Sequence, residues 1–225
     1  MLGLKHLMAG AALAASTVAV HAADMPLAQA APPPLEYNWF IKFGPGYLIN
    51  DESARMRAGG VPQVGATIKI KPQISALVEF GYFFTPNFAV SFTGGIPPRV
   101  DIRAAGTIAP LGRLGQAVYG PSTLTAHYHF TGWGAFRPYI GAGVAYTRIF
   151  DTKDDVLTNI KINDTIGPAL QIGANYMINE RWGVFVDVKK AYLRTVTTGN
   201  LGPAAVRARV VIDTLAVHTG VMFKF

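Results

Sequence analysis

Eight stretches of this chain alternate with a period of two, large apolar side chains on one phase and small or polar ones on the other. Only an extended strand shows successive side chains to opposite faces, so these stretches are strands and not helices. Trp39, Ile41 and Phe43 alternate with Lys42 and Gly44. Ala76, Val78, Phe80, Tyr82 and Phe84 alternate with Ser75, Glu79 and Gly81, and Phe88, Val90 and Phe92 with Ala89, Ser91 and Thr93. The same rhythm runs from Leu124 to Phe130, Ile140 to Tyr146, Leu170 to Ile178, Val184 to Val188 and Leu215 to Phe225. No apolar-phase position in them is charged, whereas the other phase holds Lys42, Glu79, Asp187, Lys189 and Lys224.

Composition decides which way the apolar face points. Half of the chain is hydrophobic, only 15% is charged, and the mean hydropathy is +0.27. A soluble sandwich would turn its apolar face inward and show charge outside. Here the second phase is mostly Gly, Ser, Thr and Ala, which suits a narrow barrel interior, while the apolar phase suits lipid. Trp39, Tyr82, Phe84, Phe130, Tyr176, Trp182, Phe223 and Phe225 stand near segment ends, as an aromatic girdle requires. Short links at Thr85-Pro86-Asn87 and Asn179-Glu180-Arg181 contrast with long ones at 49–73, 97–121, 151–165 and 195–209. The expectation is an all-β chain, an eight-stranded antiparallel up-and-down transmembrane barrel with short periplasmic turns and long extracellular loops.

The first residues read as an address. Lys5 and His6 precede an apolar run from Leu7 to Val20, and Val20-His21-Ala22 offers small residues at a cleavage site. Residues 1–22 are expected to be a signal peptide, with Ala28-Gln29-Ala30 as an alternative site, residues 23–36 an extended leader, and 37–225 the barrel. Export places the chain in the outer membrane of a Gram-negative bacterium. It also argues against nucleic acid as the partner of a chain with net charge +7.

Several motifs, in order, resemble one family. Arg137-Pro138-Tyr139-Ile140-Gly141-Ala142-Gly143-Val144-Ala145-Tyr146 is similar to the RPYVGAG-x-x-Y signature of the OmpW/AlkL family of small outer-membrane barrels. Tyr119 to Leu124, leading to Tyr128-His129-Phe130, resembles that family's fourth strand. Gln171-Ile172-Gly173-Ala174-Asn175-Tyr176 also matches, as does Thr198-Gly199-Asn200-Leu201-Gly202-Pro203, the latter closer to the AlkL side. The ending Phe223-Lys224-Phe225 is similar to the terminal aromatic signal read by the barrel-assembly machinery. The resemblance implies a passive channel for small hydrophobic molecules, with a hydrophobic mouth, a lower lumen closed by polar residues, and sideways exit through the wall. Where the family commonly has a channel-lining Trp, this chain has Ile166.

Ile108, Leu111, Leu114, Ile160, Ile162 and Leu201 make the long connections unusually apolar, marking either a mouth or strands extended above the membrane. With Ile166 they are the expected lining. Lys42, Glu79, His127, Asp187, Lys189 and His218 fall on inward phases and are expected to form a polar plug. Lys42 and Glu79 sit at matching heights on neighbouring strands, so an ion pair between them is expected, because buried charges are paired. The histidines, His129 among them, have metal-compatible spacing, but polar filling is the preferred reading and no metal or cofactor is assigned. Pro45, Pro97 and Pro168 cannot donate to a ladder and are candidates for a lateral opening. The resemblance gives Pro97, but not the other two, a family counterpart.

The loop arginines, Arg55, Arg57, Arg99, Arg103, Arg113, Arg207 and Arg209, suit phosphates of lipopolysaccharide. Expected partners are therefore outer-membrane lipid and lipopolysaccharide, a small hydrophobic permeant and the assembly machinery, with the barrel a monomer. There is no Cys, G-x-S-x-G, H-E-x-x-H or P-loop, so no enzyme is expected. A structural or receptor barrel without transport, and a lipid-modifying barrel, are the alternative readings.

Overall fold

A computed structural model describes residues 37–225, so the signal peptide and leader lie outside the described residues. Twelve strands follow in chain order: β1 (Trp39–Ala58), β2 (Val61–Gln63), β3 (Ala66–Ile70), β4 (Gln73–Phe83), β5 (Phe88–Gly95) and β6 (Arg99–Gly106), then β7 (Arg113–His129), β8 (Phe136–Asp154), β9 (Thr158–Ile162), β10 (Thr165–Met177), β11 (Trp182–Leu201) and β12 (Ala204–Lys224). Every pairing is antiparallel, β1 joins β12, and the β7–β8 pairing closes the ring. Taking β2 and β3 with β4, β5 with β6, and β9 with β10 as broken staves, the wall has eight. Closure pairs the strands around the ring, as hydrocarbon demands of a backbone with no water to bond, and the remaining one-sided pieces, β3 and β9 among them, belong to the taller outer part.

Burial alternates in the phase read from the sequence. On β1, Trp39, Phe43 and Tyr47 are exposed while Phe40, Lys42, Gly44, Gly46 and Leu48 are buried. Outward residues stay apolar up to Tyr47, Ile74, Ile96, Tyr146, Ile166, Tyr192 and Leu215. Beyond them stand Asp51, Lys71, Arg99, Arg148, Asp164, Arg194 and Asp213, marking the outer polar boundary. At the other end Trp39 and Phe225 exchange backbone hydrogen bonds, and Trp39, Tyr82 and Phe84 form a run of ring contacts.

The long connections are taller than expected. They are not loose loops: β1, β8, β11 and β12 continue their ladders past the charged ring, and β11 pairs with β12 through Leu201↔Ala204. Tight turns finish them, using positive φ at Gly59, Gly60 and Gly202. Alternation is hard to read there because the outward face turns from apolar to polar once it leaves lipid.

The inward phase also holds more than small residues. Phe40, Phe83, Met177, Phe185 and Met222 cluster at the periplasmic end as an apolar floor that the sequence reading passed over.

Gly44 and Gly220 face each other across the β1–β12 seam. A side chain at Gly44 would strike the Thr219 carbonyl, and one at Gly220 the Phe43 carbonyl. Gly44→Ala should therefore destabilise the folded barrel by about 1–3 kcal/mol, the range for overpacking. Gly132→Ala, in open space at a turn, serves as the control. Urea unfolding in vesicles followed by tryptophan fluorescence measures both, and equal midpoints for the two variants would contradict this account of the seam.

Candidate functional site

The lumen is stacked in layers. Directly above the apolar floor lies a charged layer. Lys42 on β1 and Glu79 on β4 are register partners, their side chains 3.5 Å apart and fully buried. Lys189 on β11 lies 2.8 Å from Glu79 and 2.8 Å from Asp187. Two positive and two negative side chains thus neutralise one another inside the ring. Neutral groups complete the set: Lys42 donates to the Tyr139 hydroxyl at 2.8 Å, and Tyr139 donates to Asp187 at 2.9 Å. Gln171 donates to Asp187, Thr125 donates to Gln171, and Thr93 donates to Glu79. His127 stacks on Tyr139 and lies 3.1 Å from Ser91, and His218 packs edge-on to Phe185. His129 stacks on Tyr139 as well.

Tyr139 and Gln171 were missed as members of this layer. The signal was available: each shares the inward phase of its strand with glycine, Gly141 and Gly173 respectively. Those glycines have a packing reason. A Cβ at Gly173 would lie 2.6 Å from the Tyr139 ring, and one at Gly141 2.9 Å from His127. Small residues on the facing strands make room for the ring that joins Lys42 to Asp187.

Above the charged layer the lumen turns apolar. Leu114, Ile160 and Ile162 line a cavity of about 80 Å³ together with Ile68, Ile70, Val100 and Val210. Its polar side is made of Asn50, Thr147, Thr165, Thr195 and Thr214. Ile108, Leu111 and Leu201 pack against this cluster from the rim without lining the cavity. Ile166 does not line it either. It pairs with Tyr146 on the outward phase and is 68% exposed, so the expected inward role is corrected. Its neighbours Thr165 and Gly167 take the inner side, the one-residue phase flip that strand geometry imposes.

A second, smaller space lies next to the cavity. It shares Thr147, Leu193 and Thr214 with the cavity above, and Lys189 is part of its lining. Pro121, Ser122 and Thr123 of β7 form one wall, and Leu77 and Thr93 another. Here the barrel wall is interrupted. The β5–β7 ladder ends at Thr93↔Thr123, and the β6–β7 ladder starts only at Arg99↔Val118. Between them Ile96, Pro97 and Pro98 leave strand geometry, and a single backbone bond, Tyr119 N–H to the Pro98 carbonyl at 3.3 Å, spans the break among the described residues. Ile96 stays bonded to Ala76 of β4, so the loosened edge is the one facing β7.

The other two prolines interrupt ladders without parting strands. At Pro45 the β1–β12 bridges lapse between Phe43↔Val221 and Gly46↔His218, but Gly44 and Gly220 hold the backbones close. At Pro168 the β10–β11 ladder stops at Ala169↔Ala191, and Thr165 and Thr195 hydroxyls bond the Arg194 and Asn163 carbonyls at 2.7 Å instead. A Cβ on Gly167 would strike the Tyr192 carbonyl, so no gap exists there.

Comparison with known proteins supplies the relatives of this arrangement. The family model described as OmpW family matches residues 38–225. The dibenzothiophene metabolism operon protein PahQ of Pseudomonas aeruginosa is 34% identical over 190 residues, 84% of this chain and 90% of that protein. Outer membrane protein AlkL of Ectopseudomonas oleovorans is 30% identical over 177 residues, covering 79% and 77% of the two chains. The crystal structure of outer membrane protein OprG from Pseudomonas aeruginosa superposes with a TM-score of 0.78 at 25% identity, over 84% of this chain and 96% of that one.

The charged layer predicts a non-additive mutational response. Glu79→Leu leaves Lys42 without its acid and should cost about 3–5 kcal/mol, the penalty for an uncompensated buried charge. Adding Lys42→Met should recover most of that loss, since Lys189 keeps Asp187. Urea midpoints of the single and double variants test this; a double variant that is the sum of two large losses would contradict it.

Proposed function

Because the chain belongs to the OmpW family and resides in the outer membrane of a Gram-negative bacterium, we propose that it is a passive channel for small hydrophobic molecules. The permeant enters the apolar cavity from outside and leaves sideways into the membrane through the break beside Pro97. The observation that carries this reading is the adjacency of the two spaces: they share Thr147, Leu193 and Thr214 in their linings, and the lower one is lined by Pro121–Thr123, beside the lapsed ladder. Straight passage is blocked, because an apolar solute would have to displace four charged groups at an electrostatic cost of several kcal/mol. The name of the PahQ relative, with dibenzothiophene an apolar aromatic, agrees in chemistry with such a permeant.

In this reading Leu114, Ile160 and Ile162 hold the solute by burial alone, and Lys42, Glu79, Asp187 and Lys189 act as the plug, with His127 and His218 filling the same layer. Pro97 supplies the opening because an imide cannot complete a ladder bond. The barrel stands as a single closed chain in contact with lipid and lipopolysaccharide. Phe223 and Phe225 are read by the assembly machinery, and no chemical step is performed.

Two outcomes are expected. Cysteines in place of Gly94 and Ser122, on the two lips of the break, should suppress uptake of an apolar dye into proteoliposomes when oxidised and restore it on reduction; the chain has no native thiol to interfere. Unchanged uptake after verified cross-linking contradicts lateral exit. Deleting Phe225, half-exposed and held by one pair of backbone bonds to Trp39, should leave stability nearly intact while lowering outer-membrane levels sharply. Normal levels contradict the assembly role.

A further inference from the structure

Above the charged ring, the outer face of the β1–β12 seam carries four arginines in two directly opposed pairs, Arg55↔Arg209 and Arg57↔Arg207. All four are exposed. Like charges facing each other across antiparallel strands are unfavourable, and among the described residues none of the four has an acidic partner. The contrast lies on the same rim: Arg113 pairs with Asp155 and Asp101, and Arg103 with Asp101. Glu52, three residues from Arg55, lies on the other phase and accepts from the Ile70 N–H; the nearest acids on the phase of the arginines, Asp51 and Asp213, are themselves opposed and sit four residues from Arg55 and Arg209, roughly 13 Å of strand away. Lys161 of β9 and Arg57 and Arg207 line one concave surface, extending the positive face sideways.

We infer that this four-arginine face binds the phosphate groups of lipopolysaccharide, through the part of the molecule that stands above the bilayer. The inference deepens, and rests on, the lipopolysaccharide contact proposed above, and it is independent of the transport route. Guanidinium forks match phosphate oxygens two at a time, and an anion shared between opposed arginines removes their mutual repulsion. Height selects the phosphates. Arg55 and Arg57 lie four and six residues beyond Asp51, roughly 13–20 Å along a tilted strand. They therefore reach past the lipid headgroup level to phosphorylated sugars, and not to the phosphates at the acyl boundary.

The test uses the full barrel in nanodiscs, with lipopolysaccharide carrying its phosphorylated inner sugars, the same molecule truncated to its lipid anchor, and inorganic phosphate as competitor. The native protein should prefer the full molecule over the truncated one. The variant R55Q/R57Q/R207Q/R209Q should lose at least about tenfold in affinity for it, the equivalent of one charge-assisted contact, whereas replacement of the four by lysine should retain part of it. Both variants should transport an apolar dye normally in liposomes free of lipopolysaccharide, which keeps this test separate from that of the channel. Equal binding by the native and Gln variants, or no preference for the full molecule, overturns the inference. So does displacement by inorganic phosphate at the same concentration as lipopolysaccharide, which would make the face a general anion site.

Discussion

Every backbone N–H and C=O inside hydrocarbon must find its partner within the protein, and the behaviour of this barrel turns on the places where proline makes that impossible. Ladders lapse at or beside each of the three candidate prolines: β1–β12 at Pro45, β10–β11 at Pro168, and β5/β6–β7 at Pro97. Two lapses are repaired by means visible in the sequence around them. Glycines on both sides let β1 and β12 touch, and threonine hydroxyls replace the missing bonds between β10 and β11. At the third, two successive prolines and the loss of strand geometry leave one long bond across several residues. The weak point of the wall is therefore a matter of what surrounds each proline, not of proline itself.

The lumen gives that weak point its consequence. Below it, four charged groups and their hydroxyl and amide partners close the ring, and an apolar floor backs them. A neutral quartet is expensive to open for an apolar solute and unattractive to a lone ion, so on the proposed reading the plug rejects both. Above it the surface is largely aliphatic, with Thr147 and Thr214 beside Leu193 in the lining that the two spaces share. On the proposed route a solute that leaves water for the cavity meets rising polarity downward and lipid sideways, and transfer between two apolar media has little thermodynamic barrier.

Much of this was legible in the sequence because membrane strands expose a simple binary pattern. The eight-stave ring, the facing of each strand and the closeness of Lys42 to Glu79 follow from phase and from equal distance to a short turn. What escaped detection had a physical cause. Above the lipid the outward face becomes polar, so alternation fades and Asp51–Ala58 looked like loop. Phe40, Phe185 and Met222 looked lipid-directed in type though they point inward, since the floor of a barrel tolerates large apolar groups. Tyr139 belongs to a motif whose glycines drew attention to the backbone and not to the ring they accommodate. Ile166 was placed inward by resemblance and not by strand phase, and its phase turns it outward.

On the proposed route an apolar solute travels from the upper cavity to the β7 seam and never crosses the charged layer. The direct measurement is photolabelling with an apolar permeant that carries a diazirine, in native barrels reconstituted in lipid, with adducts located by peptide mass spectrometry. Adducts at Leu114 and Ile160, and then at Leu77, Pro121 or Leu193, are the result the account predicts. Adducts on Phe40, Phe185 or Met222, beneath Lys42 and Asp187, would show passage through the plug and contradict it.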